Sequence, residues 1–429
     1  MLCAGAFAQY KGAPYSDLYD SETVKSMKED VGYLASAALE GRGAGTEGEN
    51  AAAEYVRTRF LDAGLDIITD VENAKFGIRQ DNGDTLVSRN VAGVITGYDR
   101  ELKDKYIVIG ARLDNLGVRP YTVDGREMSK TYYGACGNAS GLSILLNLAR
   151  MLNTNRVLLR RSVILVAFGA SAVDNSGSWY FLNRQFPHTP DIDAMINLDM
   201  LGTGSRGFYA YTASNADMNN IIDALASTLQ PVLPEIVSRE PVRSDHRSFY
   251  AKEIPSVFFT TGMYPEYNTE NDTPSVPEYD NMERLLEYLY NFTLKLVNGK
   301  APAFKPTDQV KKNADAVGAI PFYECDVKPS FLGSQDPSVF LKKWVYTYLK
   351  YPRAAVEHGI QGRVLVDFII DEKGKVRDVK VLRGVDQLLD DEAVKVISAS
   401  PDWKPGYLRG KKVKTELSLY VEFKLTKRK

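Results

Sequence analysis

The sequence predicts an α/β protein in which a mostly parallel central sheet is flanked by helices, followed by a small α+β domain with an antiparallel sheet. Two observations predict the first part: strand and helix patterns alternate from about residue 20 to 298, and several strand patterns are short apolar runs. The second part is predicted by two β runs joined by a turn, then one short helix and a last strand.

The elements of the first part follow from apolar runs and from helical spacing. Apolar runs predict buried parallel strands at residues 106–110, 162–168, 194–198 and 254–259. Helical spacing predicts helices after Gly48, with Gly64 as a stop, and at residues 142–152, 175–183 and 282–297. Because helices separate the strands, we expect parallel strands with helices on both faces of the sheet.

The second part has a different pattern. Residues 364–370 and 376–382 are β runs, and the turn-forming segment 371–375 between them predicts a hairpin. Residues 389–398 predict an amphipathic helix, and the alternating apolar residues of 414–425 predict a last strand. We expect the helix on one face of the sheet and at least one unpaired sheet edge, or an edge paired with a second copy.

The composition indicates where the domains begin and end. Residues 1–9 end in a small-x-small pattern typical of a secretory signal remnant, which predicts export. Residues 10–298 form the first predicted domain, and 329–429 form the second. The Gly, Pro, Lys and Asp residues of 299–328 predict a linker.

The overall composition excludes several classes of protein. A net charge of -2 and an isoelectric point near 6.1 argue against a nucleic-acid partner. Three cysteines form no disulfide framework and no Cys-x-x-Cys pair. Since no run reaches about 18 apolar residues, we expect no membrane-spanning segment.

Several short motifs follow one another along residues 30–298. They are the segments 33–36, 39–46, 90–94, 107–111, 138–141, 168–170, 197–200 and 244–246. In their sequence and order these segments resemble bacterial zinc aminopeptidases of clan MH, the two-zinc enzymes related to leucyl aminopeptidase and glutamate carboxypeptidase. The resemblance implies a zinc-exopeptidase-like fold, two zinc ions and a Glu general base.

The resemblance also implies which positions would carry the metal ligands and the base. A guanidinium has no lone pair for zinc, glycine and alanine have no side-chain donor, and one aspartate does not hold zinc in competition with water. We therefore expect that zinc, the family's cofactor, is lost here, and that no residue is catalytic. The degenerate ligand positions are Arg112, Gly137, Ala172, Asp199 and Asn268, and the base position is Ser171.

Polar and aromatic residues at or near these positions are candidates for ligand binding. We expect Arg112 to pair with Asp199, Asp114 or both, and so to replace the metal's charge. A serine triad or a Cys136–His246 thiol site lacks a local nucleophile signature, and a buried Cys or a capping His is the favoured interpretation. The seven candidates are Arg112, Asp114, Asn138, Asp199, His246, Tyr264 and Tyr267.

Residues 350–425 contain a second series of short motifs, which includes the segments 350–352, 359–364, 371–374, 389–393 and 403–406. In these segments the chain resembles the C-terminal domain of TonB. The resemblance implies docking by strand addition to a protein partner, and a location in the periplasm or cell envelope of a Gram-negative bacterium. A structural appendage that covers the first domain is the alternative.

Three hypotheses for the function follow. The leading one is an exported, non-catalytic pseudopeptidase whose cleft recognises a peptide or another small polar ligand. The second is an active metallo-exopeptidase or amidohydrolase with a rearranged metal site. The third is an envelope scaffold in which the TonB-like domain is the functional part.

Overall fold

The computed structural model describes residues 20–69, 75–79, 84–123, 126–305, 319–322, 325, 327–408 and 411–425. The predicted signal remnant, 1–9, lies outside these residues. The chain divides into two compact units between residues 310 and 311. Within the described ranges, no helix combines the length and the apolar character that crossing a membrane requires.

The first unit contains strands and helices that alternate along most of its length. Its strands are β1 Asp66–Ile67, β2 Lys75–Arg79, β3 Thr85–Arg89, β4 Val91–Ile95, β5 Tyr106–Arg112, β6 Gly117–Val123, β7 Arg126–Tyr132, β8 Ser162–Phe168, β9 Ile192–Leu198, β10 Tyr209–Tyr211, β11 Glu235–Val237 and β12 Ser256–Thr260. Its helices are α1 Glu22–Leu34, α2 Glu47–Asp62, α3 Ser140–Thr154, α4 Ser176–Tyr180, α5 Ala216–Ala226, α6 His246–Tyr250 and α7 Tyr279–Asn298.

Eight strands form the main sheet in the order β1-β4-β8-β5-β9-β12-β10-β11. The four central strands, β8, β5, β9 and β12, run parallel to one another, and antiparallel pairs join them to the strands on either side. Every residue of β8 and β12 is buried, as expected for strands covered on both faces. The predicted α/β fold with a mostly parallel sheet is confirmed.

Successive residues of each central strand point to opposite faces of the sheet, and each face has its own apolar core. On one face, Ile107 and Ile109 pack in a core with residues of α1, α2, α3 and α7. On the other face, Val108 packs in a core that includes Phe181 and Phe249. Both faces are therefore covered, which fixes the strand ends where the candidate site lies.

A hairpin of β6 and β7, in residues 117–132, was not predicted from the sequence. Its strands pair in register from Gly117↔Tyr132 to Val123↔Arg126. The segment has many polar residues and lacks an apolar run, so its pattern gives no strand signal. In the chain it separates Arg112 from Gly137, two of the predicted site positions.

The second unit is an α+β domain. Its strands are β13 Ala319–Pro321, β14 Gly362–Ile370, β15 Val376–Arg383, β16 Gly406–Leu408 and β17 Lys411–Phe423, and its helices are α8 Pro337–Phe340, α9 Tyr346–Tyr348, α10 Arg353–Glu357 and α11 Gln387–Ser398. The sheet order is β13-β17-β14-β15, with β16 paired to β17. Both β15 and β17 run antiparallel to β14, and α11 contributes Leu389 and Ile397 to a core with Phe368. The predicted hairpin, helix and last strand are confirmed.

The segment 299–328, predicted as a linker, contains ordered contacts at both of its ends. Near its start, Asn215 donates to the carbonyl of Ala303, and Lys305 pairs with Asp217 at 2.9 Å. Near its other end, β13 adds to the sheet of the second unit beside β17. Pro321 is tolerated there because β13 is an edge strand.

The two edges of the second sheet differ in regularity. The outer edge of β15 has no strand partner among the described residues. The pairing of β15 with β14 shifts register near Asp378, which has a left-handed φ of 51°. Residues 417–423 of β17 pair regularly with β14 and meet no other described strand. The expected unpaired edge is therefore present in the described part of the chain.

Candidate functional site

The predicted site residues lie around the carboxyl ends of the central strands. Arg112 is the last residue of β5, Asp199 directly follows β9, and Ser171 and Ala172 follow β8 within four residues. Because the carboxyl ends of parallel strands meet at one edge of the sheet, these positions converge on one cleft. Ligands of open α/β proteins bind at this edge.

Arg112 and Asp199 form an ion pair in the cleft, as expected from the sequence. The distance from Arg112 Nη2 to Asp199 Oδ1 is 3.3 Å, and the side chains are 11% and 4% exposed. The second oxygen of Asp199 accepts a hydrogen bond from Ser244 Oγ at 2.9 Å. Burial opposes the charge on Arg112, but nearby acidic groups, led by Asp199, raise its pKa above the ordinary value.

Asp114 is buried, and its carboxylate accepts hydrogen bonds from backbone amides instead of facing the open part of the cleft. Its Oδ1 accepts from the amide of Ser171 at 2.7 Å, and its Oδ2 accepts from the amide of Ala172 at 3.0 Å. Burial raises the pKa of Asp114 to about 6, while the charge of Arg112 opposes the shift. Asp114 thus holds the turn that carries the predicted base position, Ser171, and the predicted ligand position, Ala172.

Asp245 is a site residue that the sequence analysis missed. Ser171 Oγ donates to Asp245 Oδ2 at 2.7 Å, and burial raises the pKa of this carboxyl group to about 7. Its position beside His246 in one of the matching motifs was the available signal. Because the Ser171 hydroxyl bonds a carboxylate and has no described bond to His246, the geometry does not form a serine triad.

His246 lies among aromatic rings. Its ring stacks on Phe258 with centroids 5.0 Å apart and meets Tyr211 edge-on at 5.9 Å. Its Nε2 lies 3.0 Å from Glu240 Oε1. None of its described contacts is with Arg112 or Asp199, so the structure does not join this candidate to them.

Two tyrosines occupy the space beside Gly137. A Cβ placed on Gly137 would lie 2.9 Å from Tyr264 Oη and 3.1 Å from a ring carbon of Tyr267. Tyr264 Oη donates to Asp272 Oδ2 at 2.6 Å, and Asp272 also accepts from the amides of Cys136 and Gly137. The tyrosines therefore fill the volume next to Gly137, one of the predicted ligand positions.

The remaining predicted positions serve different roles. Asn138 is fully buried; its Nδ2 donates to Leu198 O, and its Oδ1 accepts from the amides of Gly141 and Met200. This candidate therefore holds backbone and leaves no side-chain group for a ligand. Asn268 is half-buried, with a left-handed φ of 53°.

Cys136 is buried beside the site, and burial raises the pKa of its thiol. A reactive cysteine requires the opposite shift, since the thiolate is the nucleophile. The geometry therefore disfavours the thiol alternative, and Cys136 packs as a small apolar residue.

Arg42 is a second residue whose role the sequence analysis missed. Its guanidinium is fully buried and donates to backbone carbonyls of Leu113 at 3.1 Å, Tyr133 and Gly134 at 3.0 Å, and Leu34. Burial lowers its pKa to about 10. It joins the end of α1 to the segments that carry the former ligand positions, and its place in the motif of residues 39–46 was the available signal.

The residues present do not fit a two-zinc centre. Gly137 and Ala172 have no side-chain donor, Arg112 carries a permanent positive charge, and both oxygens of Asp199 are hydrogen-bonded. In the ranges that the structure describes, no three His, Cys, Asp or Glu side chains are grouped so that they could hold a metal ion.

Comparison with known proteins supports both parts of the fold. Residues 90–293 match Peptidase family M28, and residues 347–425 match the Gram-negative bacterial TonB protein C-terminal family. An aminopeptidase from Aneurinibacillus sp. strain AM-1 is similar in structure, with a TM-score of 0.51 and 17% identity over 66% of this chain and 96% of that chain. A zinc aminopeptidase from Bacillus subtilis has a TM-score of 0.53 and 15% identity over 66% and 98%.

A curated relative matches only the second unit. Protein TonB from Pseudomonas aeruginosa is 35% identical over 79 residues, which are 18% of this chain and 23% of that protein. The chain therefore spans less than a quarter of that TonB. The likeness concerns the C-terminal domain alone.

Proposed function

We propose that this chain, which combines a domain of Peptidase family M28 with a TonB C-terminal domain, is a non-catalytic binding protein of the Gram-negative cell envelope. Its cleft binds a short peptide or a similarly polar small molecule. Its second domain docks to a protein partner. The TonB-type domain supports the envelope location, because proteins with this domain occur in Gram-negative bacteria.

The ion pair of Arg112 with Asp199 carries the proposal. Arg112 and Asp199 are two of the predicted ligand positions, and the guanidinium of Arg112 takes one oxygen of the Asp199 carboxylate. Hydrolysis in the family needs metal-bound water and a base. Ser171 stands in place of that base, and its hydroxyl donates to Asp245.

The cleft keeps polar groups that a ligand can reach. Arg112 retains some exposure and has Tyr267 among its electrostatic neighbours, and both Tyr267 and Asn268 are half-buried. A guanidinium and a phenol suit the carboxylates and carbonyls of a peptide. The buried network behind them holds their positions without a metal.

The second domain supports docking by strand addition. Residues 417–423 of β17 offer a regular edge, on which the amide of Glu422 donates to Tyr346 Oη at 3.3 Å, whereas β15 is interrupted near Asp378. Bulges of this kind protect a sheet edge from pairing. We therefore expect a partner strand beside β17, which also makes an envelope scaffold the second candidate function.

Activity assays test the non-catalytic proposal. The purified full chain should release no product from amino-acid arylamides above the buffer rate, with or without added Zn²⁺ or Co²⁺. Asp199→Ala serves as the control, because both proteins should give the same background. A metal-dependent rate that Asp199→Ala abolishes would contradict the proposal.

Binding assays test the cleft. Di- and tripeptides with free termini should include at least one that raises the melting temperature of the full chain. Tyr267→Ala should weaken that effect, while the exposed control Tyr98→Ala should leave it unchanged. Peptide binding that neither Tyr267→Ala nor Asn268→Ala alters, or a set without a single binder, would count against the proposed cleft.

A further inference from the structure

The charge of the chain is divided unevenly between its parts. Residues 329–429 contain 20 Lys or Arg and 13 Asp or Glu, whereas residues 1–328 contain 33 and 42. The near-neutral total thus conceals a basic second domain. An excess of positive charge on one surface attracts anionic partners.

Five exposed lysines lie together at one end of the second sheet. Two contacts bring their segments side by side: the amide of Trp403 donates to Gly374 O at 2.8 Å, and β16 pairs with the first residues of β17. We call these residues the lysine cluster: Lys373, Lys404, Lys411, Lys412 and Lys414.

Acidic residues at this end do not neutralise the lysine cluster. Among the described residues, Asp371 pairs with Arg377 and Asp402 pairs with Lys375, so both carboxylates already have cationic partners. Glu372 is the exposed acidic neighbour in the same turn as Lys373. With Glu372 and the half-buried Glu416 of β17 as its acidic neighbours, the cluster still presents more positive than negative charge to solvent.

We infer that the lysine cluster binds the anionic phospholipid headgroups of a membrane surface. Each lysine is exposed, so its ammonium group can reach a planar, diffuse array of phosphates without rearrangement of the fold. Each lysine near such a surface contributes about 1 kcal/mol of attraction. A protein partner would instead need complementary shape and a desolvated anchor, and the members of the cluster are all exposed.

The inference rests on the proposed envelope location and does not depend on the cleft. An exported protein meets phospholipid headgroups on the membranes that border the periplasm. Attraction of this kind brings the docking edge of the second domain close to a membrane-embedded partner, which favours a strand-addition encounter. Lipid and peptide binding are measured separately, so failure of one is distinguishable from failure of the other.

Vesicle sedimentation of the full chain tests the inference. Vesicles of phosphatidylcholine with about 30% phosphatidylglycerol should bind the chain at low ionic strength, and added salt should release it. Pure phosphatidylcholine vesicles should not bind it. Neutralising Lys404, Lys411, Lys412 and Lys414 to Gln together should weaken binding by about 100-fold or more.

A matched variant controls for the change in total charge. Substitution of four exposed first-unit lysines, Lys103, Lys252, Lys295 and Lys300, by Gln removes the same charge and should leave vesicle binding within about twofold of wild type. Inorganic phosphate at matched ionic strength should not displace the vesicles, which separates a lipid surface from a free-phosphate site.

Three outcomes would overturn the inference. One is equal binding to phosphatidylcholine vesicles, and another is wild-type binding by the variant of the lysine cluster. The third is binding of an acidic polypeptide such as polyglutamate through the cluster without binding of anionic vesicles, which would assign the cluster to a protein partner. Circular dichroism of each variant checks that it is folded.

Discussion

The two sides of the cleft differ in what lies at the predicted ligand positions, and we propose that each replaces a metal ligand by a different means. On the side of β5 and β9, Arg112 supplies a positive charge to the surviving carboxylate of Asp199. On the side of Gly137, the rings of Tyr264 and Tyr267 supply volume where a ligand side chain is absent. A buried carboxylate without a cationic partner and an empty cavity both lower stability. The first cost is avoided on the side of Asp199 by a positive charge, and the second is avoided on the side of Gly137 by aromatic rings.

The backbone around the cleft depends on a different set of residues. Asp114, Asn138 and Arg42 bind backbone groups, and none of these bonds uses the side chain of a predicted ligand position. These bonds therefore hold the backbone around the cleft independently of the side chains at the predicted ligand positions. We therefore expect substitutions on the side of Arg112 to change stability through charge, and substitutions on the side of Tyr264 and Tyr267 to change it through packing.

The largest effect is expected on the arginine side. Arg112→Met should lower the free energy of unfolding by about 3–5 kcal/mol, because it leaves Asp199 buried without its partner. Urea denaturation measures the loss. The double variant Arg112→Met with Asp199→Asn should recover most of it, since both charges are then removed. Equal losses in the two variants would show that packing rather than charge decides stability here.

The free energy of unfolding should also depend on pH, because the charge of the buried Asp245 carboxyl group changes with pH. Asp245 has a pKa of about 7 in the folded chain, above the ordinary value of 3.8. Its proton is bound more tightly in the folded state, so its contribution is complete below about pH 4 and is lost as the pH rises to about 7. Relative to Asp245→Asn, the wild type should therefore lose on the order of 4 kcal/mol over this range.

Thermal unfolding of both proteins in buffers across that range measures the difference. Wild type and Asp245→Asn share every other titrating group, so the comparison isolates one carboxyl group. Parallel pH profiles for the two proteins would show that Asp245 is ionised throughout, in disagreement with its buried position.

On the tyrosine side, Gly137→Ala should destabilise through overpacking. The added Cβ lies 2.9 Å from Tyr264 Oη and 3.1 Å from the ring of Tyr267, and such crowding costs about 1–3 kcal/mol. Gly32→Ala in α1 is the matched control, because nothing lies within 4 Å of its added Cβ. That control should gain about 0.5–1 kcal/mol from helix propensity. Stability of Gly137→Ala equal to wild type would mean that the rings leave room there.

The smallest effect is expected for Tyr264→Phe. It removes the hydrogen bond to Asp272, whose oxygens keep two backbone amide donors, and the expected loss is about 1 kcal/mol. The exposed Tyr98→Phe should change stability by less than about 0.5 kcal/mol. Urea denaturation distinguishes the two. A loss as large as that of Arg112→Met would contradict the division of the cleft into a charged and a packed side.

Sequence patterns predicted the buried strands of both domains because apolar runs and alternation report burial directly. They did not predict β6 and β7, whose stability comes from pairing with each other in a polar segment. The strand β13 was not predicted either, because a strand of three residues beside a proline-containing segment is too short to show an alternating pattern of apolar residues. Local pattern thus fails where a partner elsewhere in the chain decides the conformation.

The contacts of the site could be predicted where the chemistry of the residues at the expected ligand positions determines them. The chemistry of Arg112 beside a surviving Asp199 was sufficient to expect their contact. The partner of Ser171 was not, because Asp245 lies 74 positions away and its neighbour His246 is the more conspicuous residue. For Asn138, a polar residue in a family motif suggested ligand binding, whereas its bonds to Leu198, Gly141 and Met200 give it a structural role.

Zinc titration of the metal-free full chain tests the central claim most directly. Isothermal titration calorimetry with Zn²⁺, followed by elemental analysis after gel filtration, measures how many ions each chain retains. We expect no retained zinc at the cleft, because Arg112 and the tyrosines take the place of the ligands, and we expect the same trace for Asp199→Ala. One or two retained zinc ions per chain that Asp199→Ala abolishes would contradict the claim.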